Sequence, residues 1–392
     1  MTTPATSTSS NSALAFGLPV FLLALVALAV TIFDPLARFG GGLPPDEGLA
    51  IERGWTVSNG IEVQVRGEGR DPLRIAQVQV DGAYWMFKQT PDKPLNQFES
   101  AQIEIPYSWV AGDAHHITFV TSTGTTFDYS IDVARSETPF SLGTMFDLAL
   151  IGLFVGFVPV ALGLAALPVL RRLGREGMVF TMALTVGLLA YLLLDTLAEG
   201  LELASESASV FQTDVLVWAV AALTFALLMV IGRIGGRPTS GMALATWLAI
   251  GIGLHNFGEG LSIGSALTLG NAALGSLLIV GFTVHNLTEG VAIAAPLTRL
   301  RPSHFALFGF ALIAGVPAVF GAWVGAFAFL PHWGAVFFAI AAGAILQVMV
   351  EVARFAHSLA KEGAEPLANG TAFAGFGVGV LAMYATAFLI QV

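Results

Sequence analysis

The chain has 392 residues, of which 55% are hydrophobic and 11% charged, and its mean hydropathy is +0.76; soluble domains carry about 25% charged residues, so an ordinary soluble globular chain is excluded. The absence of cysteine excludes disulfides, thiolate zinc sites and a Cys nucleophile, leaving imidazole, carboxylate, carbonyl, amide and thioether as metal ligands. A net charge of −10 excludes a basic face for a nucleic-acid partner.

Residues 1–12 are polar and rich in Ser and Thr, a composition that predicts disorder. Residues 13–33 form a first apolar span. With no basic residues before it, a long apolar run and no small-x-small site after it, it is expected to be an uncleaved anchor rather than a signal peptide. Residues 40–135 differ in kind. Charges return, and short alternating runs appear, as in Ile61-Glu62-Val63-Gln64-Val65 and Ile103-Glu104-Ile105, with turn pairs at Asp81-Gly82 and Thr123-Gly124. The pattern predicts a small antiparallel β-sandwich of about seven strands, with Trp55, Trp85 and Trp109 in its core. His115 and His116 are expected on a strand-edge surface.

From residue 144 the chain is apolar again, and eight spans are expected: 144–170, 176–198, 210–233, 240–268, 271–297, 304–330, 334–358 and 368–391. Beyond Arg135 the basic residues are Arg171, Arg172, Arg175, Arg233, Arg237, Arg299, Arg301, Arg354 and Lys361. They gather at alternate connections, the positive-inside pattern of a cytoplasmic (inner or plasma) membrane protein. The N-terminus is therefore expected in the cytoplasm, and the β domain and C-terminus outside it. Trp218, Trp247, Trp323 and Trp333 are read as bundle packing or interface anchors, and His304, His332 and His357 as interfacial.

Ionisable groups at membrane depth are costly and mark functional sites by default. Here they are His255 and Glu259 in span 4, His285 and Glu289 in span 5, Asp195 in span 2 with Glu199 and Glu202 beyond it, and Glu351 in span 7. A His and a Glu four residues apart share one helix face. The pattern His-Asn-x-x-Glu-Gly occurs twice, at 255–260 and 285–290, so two antiparallel helices can present two imidazoles and two carboxylates at one depth. Such donors suit zinc, iron, manganese, cobalt, nickel or cadmium better than sodium, potassium or magnesium. Asn256 and Asn286 add amide oxygens, and the glycines after each Glu let helices approach closely. A lone His would be read as a satisfied polar residue of the bundle core; a duplicated motif would not. Glu199, Glu202 and Glu206 either attract cations to the outer mouth or form an ordinary solvated loop.

These motifs resemble those of the ZIP (Zrt/Irt-like) family of metal permeases, over about residues 144–392, with a further likeness in Ala342–Glu351. The resemblance implies eight spans with outward termini, alternating access by a rocking or elevator motion, uptake of a divalent cation and a homodimer. It implies that His255, Glu259, His285 and Glu289 are the central ligands and that Asn256 and Asn286 face a second, adjacent metal. Asp195 and Glu199 would lie on the pathway and Glu351 toward its exit. The sequence departs from the family where Gly258 and Thr288 replace proline, and where Ala314–Phe320 carries no acid beside Pro317; one central ion is expected. The anchor and β domain have no standard counterpart there.

The expected organisation is thus an N-terminus and anchor over 1–39, an extracytoplasmic β domain over 40–138 and an eight-helix α-helical polytopic membrane bundle over 139–392. The expected activity is transport of a divalent transition metal, zinc first, as substrate and not as cofactor, in a lipid bilayer. The competing readings are a membrane metal sensor that uses the β domain, and a zinc-dependent intramembrane hydrolase. The hydrolase is disfavoured because there is no His-Glu-x-x-His and because the candidate ligands are symmetrically paired, which suits transit better than a fixed catalytic water, so no enzyme activity is expected.

Overall fold

The computed structural model describes residues 18, 21–26, 28–29, 45–131, 134, 140–207, 212–233, 241–268, 272–328, 330–362 and 370–391. It divides into two compact units, Met1–Asp46 and Glu47–Val392. Most of the expected anchor lies outside the described residues; those described between 18 and 29 are helical.

The second unit opens with eight strands: β1 (Leu49–Val57), β2 (Gly60–Gly67), β3 (Ile75–Val80), β4 (Ala83–Trp85), β5 (Lys88–Thr90), β6 (Ser100–Ile105), β7 (His115–Thr121) and β8 (Thr126–Ile131). They form two four-stranded antiparallel sheets, ordered β1-β2-β6-β5 and β4-β3-β7-β8. Period-2 alternation aims Ile61, Val63 and Val65 of one sheet at Val78, Val80, Ile117 and Phe119 of the other, and all are buried. The expectation of about seven strands falls short because β4 and β5 have three residues each, too few to alternate visibly. The Asp81-Gly82 turn is as expected: both residues have positive φ, 52° and 79°, the requirement of a two-residue hairpin turn.

The tryptophans do not make this core. Trp85 is exposed and stacks edge-on against Tyr107, Arg53 lies over Trp55, and Trp109 packs at the margin with its indole donating to Val57 O. Apart from Phe119 the core is aliphatic, because alternation places branched side chains and Phe119 inward and leaves the indoles outside it. His115 also differs from expectation. It is buried, and its Nδ1 lies 2.8 Å from Asp81 Oδ2. The Asp81 turn folds back over the start of β7, covering the ring.

The remainder is helical. We number α1 (Leu142–Leu170), α2 (Arg175–Glu206), α3 (Thr213–Ile231), α4 (Gly241–Thr268), α5 (Ala272–Ala294), α6 (His304–Phe327), α7 (Pro331–Glu362) and α8 (Gly370–Gln391). Seven described helices are long and apolar enough to cross a membrane, which makes this a multi-pass membrane protein. The exact expectation of eight such spans plus an anchor is not met among the described residues. The shortfall is α4, whose apolar run is interrupted by His255, Asn256, Glu259 and several glycines.

Two helices are irregular. A π-turn interrupts α1 at Leu153–Phe157, and α6 breaks at Val316, before Pro317, where the missing N–H cannot continue the ladder. Helix α6 packs on α4, the second half of α1 on α5, and α7 on α2, α3 and α4. The α4–α6 contact is backbone on backbone. A Cβ at Gly260 or Gly321 would lie 2.0 Å from Ala318 O or Phe257 O, and one at Gly264 or Gly325 would lie 2.1 Å from Ala322 O or Leu261 O. Small residues four apart on both helices permit this approach. Of the span 8 glycines, Gly375 and Gly379 meet α2, whereas Gly370 and Gly377 meet nothing within 4 Å. At the start of α7, His332 Nδ1 lies 3.8 Å from Glu52 Oε1 of β1, so this His faces the β sandwich rather than an interface with lipid.

Two predictions follow from these contacts. Gly321→Ala should lower the thermal midpoint in detergent by an overpacking cost of about 1–3 kcal/mol. Gly309→Ala, where a methyl meets nothing within 4 Å, should be neutral or stabilise by up to about 1 kcal/mol. Equal effects would contradict the close packing. The second concerns Asp81. Partial desolvation pushes its carboxyl upward, but the His116 N–H, the His115 ring and the Tyr107 hydroxyl together hold it below the usual range. A carboxyl depressed in the folded state stabilises above its unfolded pKa, and that stability is lost as pH falls through the folded value. Asp81→Asn should therefore make the β strands more sensitive to proteolysis at pH 7, with the difference from wild type fading below about pH 4. A difference independent of pH would contradict it.

Candidate metal centre

The first motif lies in the middle of α4 and the second toward the end of α5. Both helices run unbroken through their motifs, so Gly258 and Thr288 produce no proline-like break. Each His sits one turn before its Glu, and antiparallel packing brings the two faces together. His255, Asn256, Glu259, His285, Asn286 and Glu289 are all at most 3% exposed.

Glu259 is the hub. Its Oε1 lies 2.9 Å from His255 Nε2 and contacts His285 Nε2. Its Oε2 accepts a hydrogen bond of 2.8 Å from Asn286 Nδ2. Ligand atoms of His255, Glu259 and His285 all lie within 4.8 Å of one another, the geometry of a group that could hold a metal ion. The second carboxylate is placed differently. Glu289 Oε1 is 3.8 Å from His255 Nε2, and neither Glu289 oxygen has a hydrogen-bond partner among the described residues. His255–His285 ring centroids are 6.2 Å apart.

The asparagines tie this centre to the irregular helices. Asn286 Nδ2 also donates to Val155 O, at 3.1 Å, inside the π-turn of α1. Asn256 Nδ2 donates to Ala314 O, at 3.0 Å, just before the break in α6. Irregular turns expose carbonyls that a regular helix consumes, and the two amides satisfy them. Each Asn Oδ1 is left buried and unpartnered, as are His255 Nδ1 and His285 Nδ1. Buried polar groups are normally paired, so this concentration of orphans calls for an explanation.

Neither family models nor curated proteins match this chain.

The other candidates are not brought into the cluster. Asp195 and Glu199 are exposed along α2. Glu351 accepts from Arg354 Nη1 at 2.9 Å. Several buried polar residues escaped the sequence reading, and one of them bears a side-chain amide. Gln347 in α7 is 2% exposed; its signal was an uncharged amide in an apolar span, overlooked beside the acids.

Chemically, the centre offers two imidazole nitrogens and two carboxylates buried from solvent, a donor set of borderline hardness. Without a cation, Glu289 is a buried carboxyl with no hydrogen-bond partner, which costs about 1–3 kcal/mol. Glu289→Met should therefore raise the thermal midpoint of the metal-free protein while removing the stabilisation that added Zn2+ gives wild type. A metal-free midpoint below wild type would show that Glu289 is structurally satisfied.

Proposed function

We propose that the helical bundle is a permease for a divalent transition-metal cation, with zinc the first candidate, and that the cation is bound midway by His255, Glu259, His285 and Glu289. The observation that carries this is the convergence of His255 and His285 on Glu259 beside an unpartnered Glu289, all sealed from water. Two imidazoles and two carboxylates supply four ligands to one ion, replacing its hydration shell. The duplicated motif supports the same reading through its resemblance to ZIP permeases, which also implies alternating access and uptake. Under it, Asp195 and Glu199 lie on the outer approach, and Asn256 and Asn286 hold the centre to α6 and α1 through their amide nitrogens. The basic connections face the cytoplasm. Ligands must be deprotonated to bind, so proton arrival at the Glu or His residues favours release.

The contact of His332 with Glu52 favours a second reading, a metal sensor whose β domain reads the state of α7. The two separate in one experiment. Protein reconstituted in liposomes is supplied with Zn2+, Fe2+, Mn2+, Co2+ and Cd2+ in turn. The permease reading expects accumulation of at least one metal, reduced at least about tenfold by Glu259→Ala and by His285→Ala. Binding without accumulation would leave the sensor.

A further inference from the structure

The central site uses His255, Glu259, His285 and Glu289 and leaves two buried side chains of the bundle outside the motifs with an unpartnered polar atom among the described residues, Thr213 at the start of α3 and Gln347 in α7. Gln347 is 2% exposed, and its Oε1 has no hydrogen-bond partner among the described residues. Its position is built. A Cβ at Gly251 of α4 would lie 2.6 Å from Gln347 Oε1 and 2.5 Å from Val348 Cγ2, so the missing side chain at 251 makes the room for the amide. Gly251 is one helical turn before His255 and on the same face. Helices α4 and α7 meet at Gly251 against Gln347 and again at Gly258 against Ala341, which sets them antiparallel. His255 lies between these two points. Gln347 therefore stands one helical turn from His255 along α4, on the side leading to Glu351 and Arg354. Gln347 and Glu351 are themselves four residues apart, on one face of α7.

We propose that Gln347 Oε1 is a transit ligand: the oxygen a divalent cation meets on leaving the His255–Glu259 side of the centre toward Glu351. The inference rests on the central site being a transport site. The chemistry suits the role. An amide carbonyl coordinates a cation without adding charge, so it lowers the barrier to departure without retaining the ion, and conduction requires that balance. A carboxylate at the same point would hold the ion, and an alkyl group would leave it facing hydrocarbon.

The test uses the purified full-length protein with Zn2+ as probe and reads equilibrium binding in detergent and initial uptake in liposomes. Gln347→Leu is expected to bind Zn2+ within about twofold of wild type and to transport about tenfold more slowly. Gln347→Glu should bind more tightly and also transport slowly, while Gln347→Asn should restore part of the rate. Uptake by Gln347→Leu at the wild-type rate overturns the inference. If Gln347→Leu loses binding and uptake together, the deciding measurement is on Gln347→Cys, which carries the chain's sole thiol because there is no native cysteine. Cd2+ should slow its alkylation by a membrane-permeant maleimide, and this protection should vanish when Glu259→Ala is added. Alkylation indifferent to Cd2+ overturns the inference. A wild-type protein that neither binds nor moves Zn2+ refutes the central site, and this inference with it. Wild-type uptake with an unaffected Gln347→Leu refutes the role of Gln347 alone.

Discussion

Glu259 receives His255, His285 and Asn286 on a single buried carboxylate, and the surrounding bundle is arranged to keep that convergence in place. Groups of this kind are tolerated at membrane depth only where they face the protein interior and find partners. The three groups that meet Glu259 come from two helices, so α4 and α5 must hold a fixed register. The asparagine beside each His supplies that register by reaching outward to a carbonyl on a neighbouring helix. The π-turn in α1 and the break in α6 then read as the sources of those carbonyls, two irregularities that pack against each other beside the same centre.

Glycine makes the geometry reachable. Four glycines place the backbones of α4 and α6 in contact around Glu259. Gly290, directly after Glu289, lies against Val160 O of α1, and Gly163 of α1 lies against Leu287 O. Side chains at these points would hold the helices further apart and would separate the motif residues that now meet at Glu259. Contacts of this kind depend on dispersion rather than on the hydrophobic effect, which is weak between helices in lipid.

Much of this was legible in the sequence. The duplicated His-Asn-x-x-Glu-Gly identified the six buried residues of the centre, because charge inside an apolar span is rare and i,i+4 spacing shares a face. The Asp81-Gly82 hairpin and the period-2 core of Ile61, Val63 and Val65 were equally plain. What was not legible is tertiary. That Asn256 and Asn286 spend their amide nitrogens on Ala314 O and Val155 O depends on a π-turn and a helix break on other elements. That His115 is buried depends on the fold-back of Asp81, more than thirty residues away. Strands of three residues and an uncharged Gln347 leave too faint a periodic or charge signal, and the polar residues of α4 that mark the centre also lower its hydropathy as a span.

The most direct measurement of the central claim is zinc K-edge X-ray absorption on the purified protein loaded with one equivalent of Zn2+. The expected result is a four-coordinate shell of nitrogen and oxygen at about 2.0 Å, with imidazole scattering from two histidines that falls to one in His255→Ala and in His285→Ala. A six-coordinate shell of oxygen without imidazole scattering, or a spectrum unchanged by either substitution, would contradict it.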